Sequence, residues 1–166
     1  LLTKYQVLHQ TGPLTANRDA EDLATARAGW SEELQRRYQV VEFVRDELRD
    51  VYAAAALVIA RAGAGTVSEL AYLGLPSILI PLPGTWGDEQ RKNARILADA
   101  GGAVLLEQAE ATPDRLRVVL TEIITDCGRR QSMANAAATV GRPDAVERLT
   151  DELLALATGP RKDHRS

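Results

Sequence analysis

Cysteine is almost missing from this sequence, because the 166 residues include only one, Cys127. A single cysteine excludes an intrachain disulfide, so a reducing, cytoplasmic compartment is the expectation. Long hydrophobic runs are missing as well, since none approaches the roughly 18 apolar residues that a membrane-spanning helix needs. The basic surplus of a general nucleic-acid binder is also lacking, because the formal net charge is −3.

The remaining composition is that of one ordinary globular domain, with 45% hydrophobic and 26% charged residues. We expect residues 1–158 to form a single domain and residues 159–166 to form a disordered tail. The opening stretch LLTKYQVLHQ lacks the basic start and the cleavage site of a signal peptide. Its pattern is that of one element ending and a strand beginning, which predicts that the chain is a fragment.

Strand and helix patterns alternate along the chain, which predicts an α/β fold with a parallel sheet covered by helices on both faces. The predicted strands are Tyr5–Gln10, Gln39–Phe43, Leu57–Ala60, Ser77–Ile80 and Ala103–Leu106. The predicted helices are Asp19–Arg37 (as one helix or two), Asp46–Ala55, Thr66–Leu73, Asp88–Ala100, Pro113–Thr125, Arg129–Ala138 and Pro143–Ala157. Ligands of such sheets bind at the carboxyl ends of the strands, so the loops that follow the strands are the candidate sites.

The loop RAGAGTVSE, residues 61–69, follows the third predicted strand and opens a helix. A helix N-terminus presents unpaired N–H groups and a partial positive charge, which suit an anion. Gly63 and Gly65 leave room for a phosphate, and Thr66 is placed to cap the helix. The dinucleotide pattern G-x-G-x-x-G is incomplete and the P-loop lysine is absent, which argues against a bound dinucleotide and against ATP hydrolysis.

Glu69 has two interpretations that the sequence leaves open. Thr66-Val-Ser-Glu69 matches the S/T-x-x-E capping box, in which the Glu69 carboxylate bonds back to the Thr66 N–H. A carboxylate one turn into the helix can instead accept both hydroxyls of a ribose whose diphosphate lies at the helix start.

A second polar cluster follows the fourth predicted strand, in PLPGTWGDEQRKNA. Gln90 and Asn93 are three residues apart and share a helix face. Their amides both donate and accept hydrogen bonds, which suits sugar hydroxyls. The competing interpretation takes Asp88 as a helix N-cap and the other side chains as solvated surface. Trp86 is predicted to pack within this loop rather than against a sugar.

These blocks together resemble the C-terminal, donor-binding domain of the MurG-type glycosyltransferases, glycosyltransferase family 28. The matching segments are VLHQTG, QVVEFVRDELRDVYAAA, RAGAGTVSELAYLGLPSILIPLP, DEQRKNA, AGGAVLLEQ and PDAVERLTDEL. Members of the family have two Rossmann-like domains (a GT-B fold), of which the C-terminal one holds the donor. The resemblance therefore implies that this chain binds the donor, UDP-N-acetylglucosamine. It also implies transfer of N-acetylglucosamine to undecaprenyl-pyrophosphoryl-MurNAc-pentapeptide, which converts lipid I to lipid II in peptidoglycan synthesis.

The resemblance assigns a role to each candidate site residue. The donor diphosphate would lie against the glycine loop, and Glu69 would accept the ribose hydroxyls. Uracil would pair with the backbone of Val44 beside the ring of Phe43. The implied diphosphate residues are Gly63, Ala64, Gly65 and Thr66, and the implied sugar residues are Asp88, Glu89, Gln90 and Asn93.

The implied reaction is a single inverting displacement in which a muramyl 4-hydroxyl attacks the anomeric carbon and UDP leaves. No Asp-x-Asp or histidine cluster is present, so we expect no metal and no other cofactor. No catalytic residue is expected here, because the resemblance places the general base on an N-terminal acceptor domain, and His9 is expected to be structural. The resemblance also implies that this domain, the first strand of the donor domain and a glycine-serine loop lie outside this sequence.

Three functional interpretations remain open. In the first, the chain is the donor half of such a transferase, inactive alone, in a protein peripheral on the cytoplasmic face of the membrane. In the second, the same fold serves a related glycosyltransferase acting on another lipid or natural product. In the third, the chain is the nucleotide-sugar-binding subunit of a split transferase. The late PDAVERL block favours the first.

Overall fold

A computed structural model describes residues 2–13 and 18–158, so the predicted tail at 159–166 lies outside the described residues. Strands and helices alternate in the order that the sequence predicts. Their bounds are β1 Val7–Gln10, α1 Asp19–Ala28, α2 Glu32–Arg37, β2 Tyr38–Val41, α3 Leu48–Ala54, β3 Val58–Ala60, α4 Ala64–Leu73, β4 Ser77–Leu79, α5 Glu89–Asp99, β5 Ala103–Leu105, α6 Pro113–Ile124, α7 Cys127–Val140 and α8 Ala145–Thr158. None of these described helices combines the length and the apolar composition that crossing a membrane requires.

Two compact units divide the chain, residues 1–54 and residues 55–166. In the first unit β1 and β2 pair in parallel, with His9 opposite Val40. In the second unit β3, β4 and β5 form a parallel sheet with β4 in the centre. The predicted parallel α/β architecture is confirmed, with the described strands in two sheets rather than one. The assignment of residues 1–158 to one domain stays a prediction.

The buried core belongs to the second unit. Ile78 of the central strand packs with Val119 and Ile123 of α6, with Met133 of α7 and with Leu106. All three residues of β4 are buried, which explains why this strand carries no charged residue. Among the described residues of the first unit, no side chain is classed as buried. The glycine loop and the second polar cluster therefore belong to the unit that contains the buried core.

Glycines at two helix contacts fix the position of α4 and α7. A Cβ on Gly102 would lie 2.7 Å from the Cα of Ala137, and one on Gly141 would lie 2.7 Å from the carbonyl oxygen of Ala71. Gly74 ends α4 in the left-handed conformation, with φ 63°, as the sequence predicts. These glycines serve the fold, in contrast to the two glycines at the start of α4.

Candidate functional site

The N-terminus of α4, at the carboxyl end of β3, has no anion supplied by the chain itself. Gly63 is the N-cap, no side chain caps the helix, and the first turn holds no acidic residue. Among the α-helices of the described ranges, α4 alone lacks both a side-chain cap and an acidic first turn. Because the first N–H groups of a helix have no partner within it and carry its positive dipole end, this start suits an external anion.

Thr66 does not cap α4, so the interpretation that makes Thr66 the N-cap of this helix is wrong. Thr66 is the third residue of the helix, because the cap lies earlier, at the extended Gly63 with φ −62° and ψ 149°. The Val67 N–H donates to the Gly63 carbonyl at 3.0 Å. Glu69 is exposed in the second turn, and the i, i+4 spacing puts it on the same face as Gly65.

The two glycines of this loop are not required by the fold. A Cβ on Gly63 or on Gly65 would meet nothing within 4 Å. Neither glycine has a positive φ, so neither backbone conformation excludes other residues. The space beside the backbone is open, as a ligand approaching the N–H groups requires.

The structure brings the second polar cluster to the glycine loop. The side-chain NH₂ of Asn93 donates to the carbonyl oxygen of Ala62 at 3.2 Å, which joins α5 to the residue before Gly63. The Gln90 side-chain oxygen accepts the Leu82 N–H at 2.9 Å, which closes the loop between β4 and α5. Within the described residues, the other half of each amide, the NH₂ of Gln90 and the oxygen of Asn93, makes no hydrogen bond.

Asp88 occupies the N-cap position of α5, as one interpretation of the sequence held, but its side chain makes no capping hydrogen bond. Its carboxylate instead lies 3.5 Å from Arg91, and Arg91 also pairs with Glu107 at 3.0 Å. Glu89 is exposed in the first turn of α5. The prediction that Trp86 packs within this loop is wrong, because its side chain is 94% exposed.

Arg61 is a site residue that the sequence argument missed. Its guanidinium donates to the carbonyl oxygen of Ile80 at 3.1 Å and also bonds the Gln108 side-chain oxygen. These three residues follow β3, β4 and β5, so Arg61 links the carboxyl ends of the sheet and places positive charge there. The available signal was a cation directly before a glycine loop, which is weak without the sheet that gives it partners.

The predicted uracil residues lie in the first unit, in the turn after β2. Phe43 is 47% exposed, and the Arg45 guanidinium lies 6.0 Å from its ring centroid. The Val44 N–H donates to the side-chain oxygen of Gln10 at 2.8 Å. An amide oxygen is the same kind of acceptor as a uracil carbonyl, so the Val44 N–H already meets a group of the predicted chemistry.

His9 has a structural environment, in line with its prediction. Its Nδ1 lies 2.6 Å from the Tyr38 hydroxyl on the neighbouring strand, and Trp30 packs edge-on against the Tyr38 ring at 5.6 Å between centroids. Burial raises the pKa of Tyr38 above its ordinary value of 10.0, and the nearby positive charge of Arg27 opposes that rise. The imidazole is thus part of an aromatic cluster in the first unit.

Known proteins are similar to this chain over most of its length. The model of the glycosyltransferase family 28 C-terminal domain matches residues 1–149. A relative from Nitrobacter hamburgensis, named UDP-N-acetylglucosamine--N-acetylmuramyl-(pentapeptide) pyrophosphoryl-undecaprenol N-acetylglucosamine transferase, is 44% identical over 144 residues, which are 87% of this chain and 38% of the relative. A relative of the same name from Xanthomonas axonopodis pv. citri is 41% identical over 95% of this chain and 35% of its own length.

Solved structures agree with these relatives. The crystal structure of MurG from Acinetobacter baumannii superposes with a TM-score of 0.74 at 31% identity, over 90% of this chain and 42% of that one. The glycosyltransferase VinC shares the fold, with a TM-score of 0.68 at 24% identity over 92% of this chain and 34% of its own. The chain therefore spans less than half the length of the proteins it matches.

Proposed function

Because the chain belongs to the glycosyltransferase family 28 C-terminal domain family, we propose that it binds the nucleotide-sugar donor of an N-acetylglucosaminyltransferase. The donor is UDP-N-acetylglucosamine, and the full-length enzyme transfers its sugar to the lipid-linked muramyl pentapeptide that the relatives' name states. The observation that carries the proposal is the uncapped start of α4, with open space at Gly63 and an exposed carboxylate on the same face.

The backbone N–H groups of Ala64, Gly65 and Thr66 bind the donor diphosphate. As the bond from the sugar to the diphosphate breaks, negative charge grows on the leaving UDP. Donors that are already fixed by a helix stabilise that charge more in the transition state than in the ground state. Arg61 adds positive charge at the same edge of the sheet.

The rest of the donor is held by side chains already described. Glu69 accepts the ribose hydroxyls, and Gln90 and Asn93 contact the sugar hydroxyls, with Asp88 and Glu89 nearby. Phe43 packs beside the uracil ring, and the backbone of Val44 pairs with its edge after the Gln10 amide is displaced. The support for these roles is the exposure of Phe43 and the amide groups left available on α5.

The transfer needs no metal ion in this proposal. The described ranges hold no group of three histidine, cysteine, aspartate or glutamate residues arranged to bind a metal. Charge on the diphosphate is instead balanced by the α4 dipole and by Arg61. Donor binding is therefore expected to be the same with magnesium and with a chelator.

The acceptor site and the general base belong to a further domain of the longer protein, so this chain alone transfers nothing. The relatives are long enough to contain such a domain, since this chain spans only 38% of the Nitrobacter protein. In this chain, α8 offers a face on which that domain can dock. The face consists of four apolar side chains at helical spacing, each more than half exposed: Val146, Leu149, Leu153 and Leu156. That domain carries the protein to the cytoplasmic face of the membrane, where the lipid-linked acceptor is found.

The Glu69 carboxylate provides the direct test of this site. We expect Glu69→Ala to lower UDP affinity at least tenfold, or about 1.4 kcal/mol, measured by isothermal titration. Glu122→Ala is the matched control, because Glu122 is an exposed glutamate of α6 whose partner is Arg129. Equal UDP affinities for wild type and Glu69→Ala would contradict the ribose role of this residue.

A further inference from the structure

Trp86 is the most exposed large hydrophobic side chain in the described residues, at 94%. Tryptophan is usually well buried, because its indole is the largest apolar side-chain surface. Neither the core nor α8 covers this ring, and the proposed donor contacts do not use it. An almost fully exposed indole in a loop at the carboxyl edge of the sheet therefore indicates a surface that contacts a ligand or a partner outside the chain.

The loop that carries Trp86 runs from Leu82 to Gln90, and Gln90 is a proposed sugar-site residue. The bond from the Leu82 N–H to Gln90 closes the loop at its base, so the indole lies four residues before an amide assigned to the sugar. Gly84 and Gly87 have φ values of 75° and 64°, and Asp88 has a φ of 56°. Left-handed backbone at a non-glycine residue costs on the order of 1 kcal/mol and is found where a loop shapes a ligand site.

A second feature of the same loop concerns Thr85, the residue before Trp86. Its hydroxyl oxygen is buried and has no hydrogen-bond partner in the described structure. Unpaired buried hydroxyl groups are rare in folded proteins and are costly. The loop is therefore incomplete in its polar contacts at the position beside the exposed indole, as expected of a segment that adjusts when a ligand arrives.

We propose that Trp86 is a specificity-determining residue whose indole stacks on the pyranose ring of the donor sugar, an inference that rests on the proposed function. One face of a hexopyranose presents C–H groups with partial positive charge, and the face of an indole carries the negative part of its quadrupole. Gln90 and Asn93 then bind the hydroxyl edge of a sugar whose apolar face lies on Trp86. Uridine and the diphosphate are held elsewhere and do not need the indole.

A membrane contact is the main competitor, because tryptophan is also enriched at lipid interfaces. Two acidic residues, Asp88 and Glu89, lie two and three positions after Trp86, and Leu82 is the other exposed large hydrophobic of the loop. Carboxylates beside the ring oppose an anionic phospholipid surface. The neighbourhood therefore favours a polyhydroxyl ligand with one apolar face.

Trp86 fluorescence provides the test, because Trp30 is the only other tryptophan. In a Trp30→Phe variant the emission comes from Trp86 alone. We expect UDP-N-acetylglucosamine to shift this emission and to reduce its quenching by acrylamide, whereas UDP at equal saturation leaves both unchanged. By isothermal titration, Trp86→Ala should weaken UDP-N-acetylglucosamine about fivefold and leave UDP unaffected, with Trp86→Phe in between.

Each outcome separates this inference from the function beneath it. If UDP-N-acetylglucosamine binds Trp86→Ala and wild type equally and the Trp86 emission does not respond, the stacking role is wrong and the donor function stands. If wild type binds neither UDP nor the sugar nucleotide, the proposed function fails and the inference fails with it. A blue shift with anionic phospholipid vesicles, and none with the sugar nucleotide, would overturn stacking in favour of a membrane contact.

Discussion

Gly63 and Gly65 look alike in the sequence but have different positions on α4. Gly63 is the N-cap and directly precedes the N–H groups proposed for the diphosphate, whereas Gly65 lies inside the first turn. A Cβ at either position meets no protein atom within 4 Å. Substitutions at these glycines therefore report on the ligand and on helix propensity, without a steric clash inside the protein.

We expect Gly63→Ala to lower UDP affinity at least tenfold, because its methyl group enters the space of the diphosphate. Its effect on the free energy of unfolding should stay within about 1 kcal/mol, since an alanine N-cap is only moderately unfavourable. Isothermal titration and urea unfolding measure the two effects separately.

The control for this prediction is Gly65→Ala. Alanine has the higher helix propensity, so the variant should be more stable by about 0.5 kcal/mol. It keeps the backbone N–H, and its UDP affinity should stay within about twofold of wild type. Loss of binding by Gly65→Ala with none by Gly63→Ala would reverse the assignment of the two glycines.

Positions that depend on local spacing were predictable, and contacts that depend on tertiary context were not. Gln90 and Asn93 share a face because three residues separate them, and both lie where the sequence predicts. Thr66 matched a capping motif, yet the helix starts at Ala64, because the backbone turns at Gly63 and a glycine can also occupy the N-cap. The exposure of Trp86 and the hydrogen bonds of Arg61 to Ile80 and Gln108 depend on segments distant in the sequence. No local sequence pattern predicts them.

At the scale of elements, the N-termini of two helices, α4 and α5, supply the proposed donor contacts in the second unit. α4 follows β3 and α5 follows the neighbouring strand β4, and the bond from Asn93 to Ala62 joins them. The turn after β2, in the first unit, supplies the proposed uracil contact. Donor binding should therefore leave a mark on two segments that are far apart in the sequence.

Hydrogen exchange measured with and without UDP tests that expectation. We expect UDP to slow amide exchange at residues 63–66 and also at residues 42–45, because uracil replaces Gln10 as the hydrogen-bond acceptor of the Val44 N–H. Exchange in β4 should not change, since its three residues are already buried in the core. Protection at 63–66 alone would contradict the uracil assignment and leave the diphosphate site intact.

The order and type of the elements followed from the sequence, whereas their grouping did not. Apolar runs such as SILI predict buried parallel strands, and the structure places that run at the centre of the β3-β4-β5 sheet. The strand boundaries shift by one to two residues, as at Val7 and Val58, because backbone hydrogen bonds and not side chains end a strand. The separation into two sheets depends on strand pairing between distant segments, which local periodicity cannot encode.

At the scale of the whole molecule, the chain matches less than half the length of its relatives. It covers 38% of the Nitrobacter protein and 42% of the Acinetobacter MurG chain. The described buried core lies in the unit that carries α4 and α5, so the proposed diphosphate and sugar contacts rest on the best-packed elements. On this account the chain binds the donor without the acceptor domain.

A thermal-shift panel with UDP, UDP-N-acetylglucosamine, UDP-glucose and NAD, each with magnesium and with EDTA, tests this claim most directly. A ligand at a hundred times its Kd stabilises by about 2.7 kcal/mol, which raises the Tm of a chain of this size by about 5–10 °C. We predict such a rise with the uridine ligands only, largest with UDP-N-acetylglucosamine and the same with magnesium and EDTA. A folded chain whose Tm none of the uridine ligands raises would contradict the account.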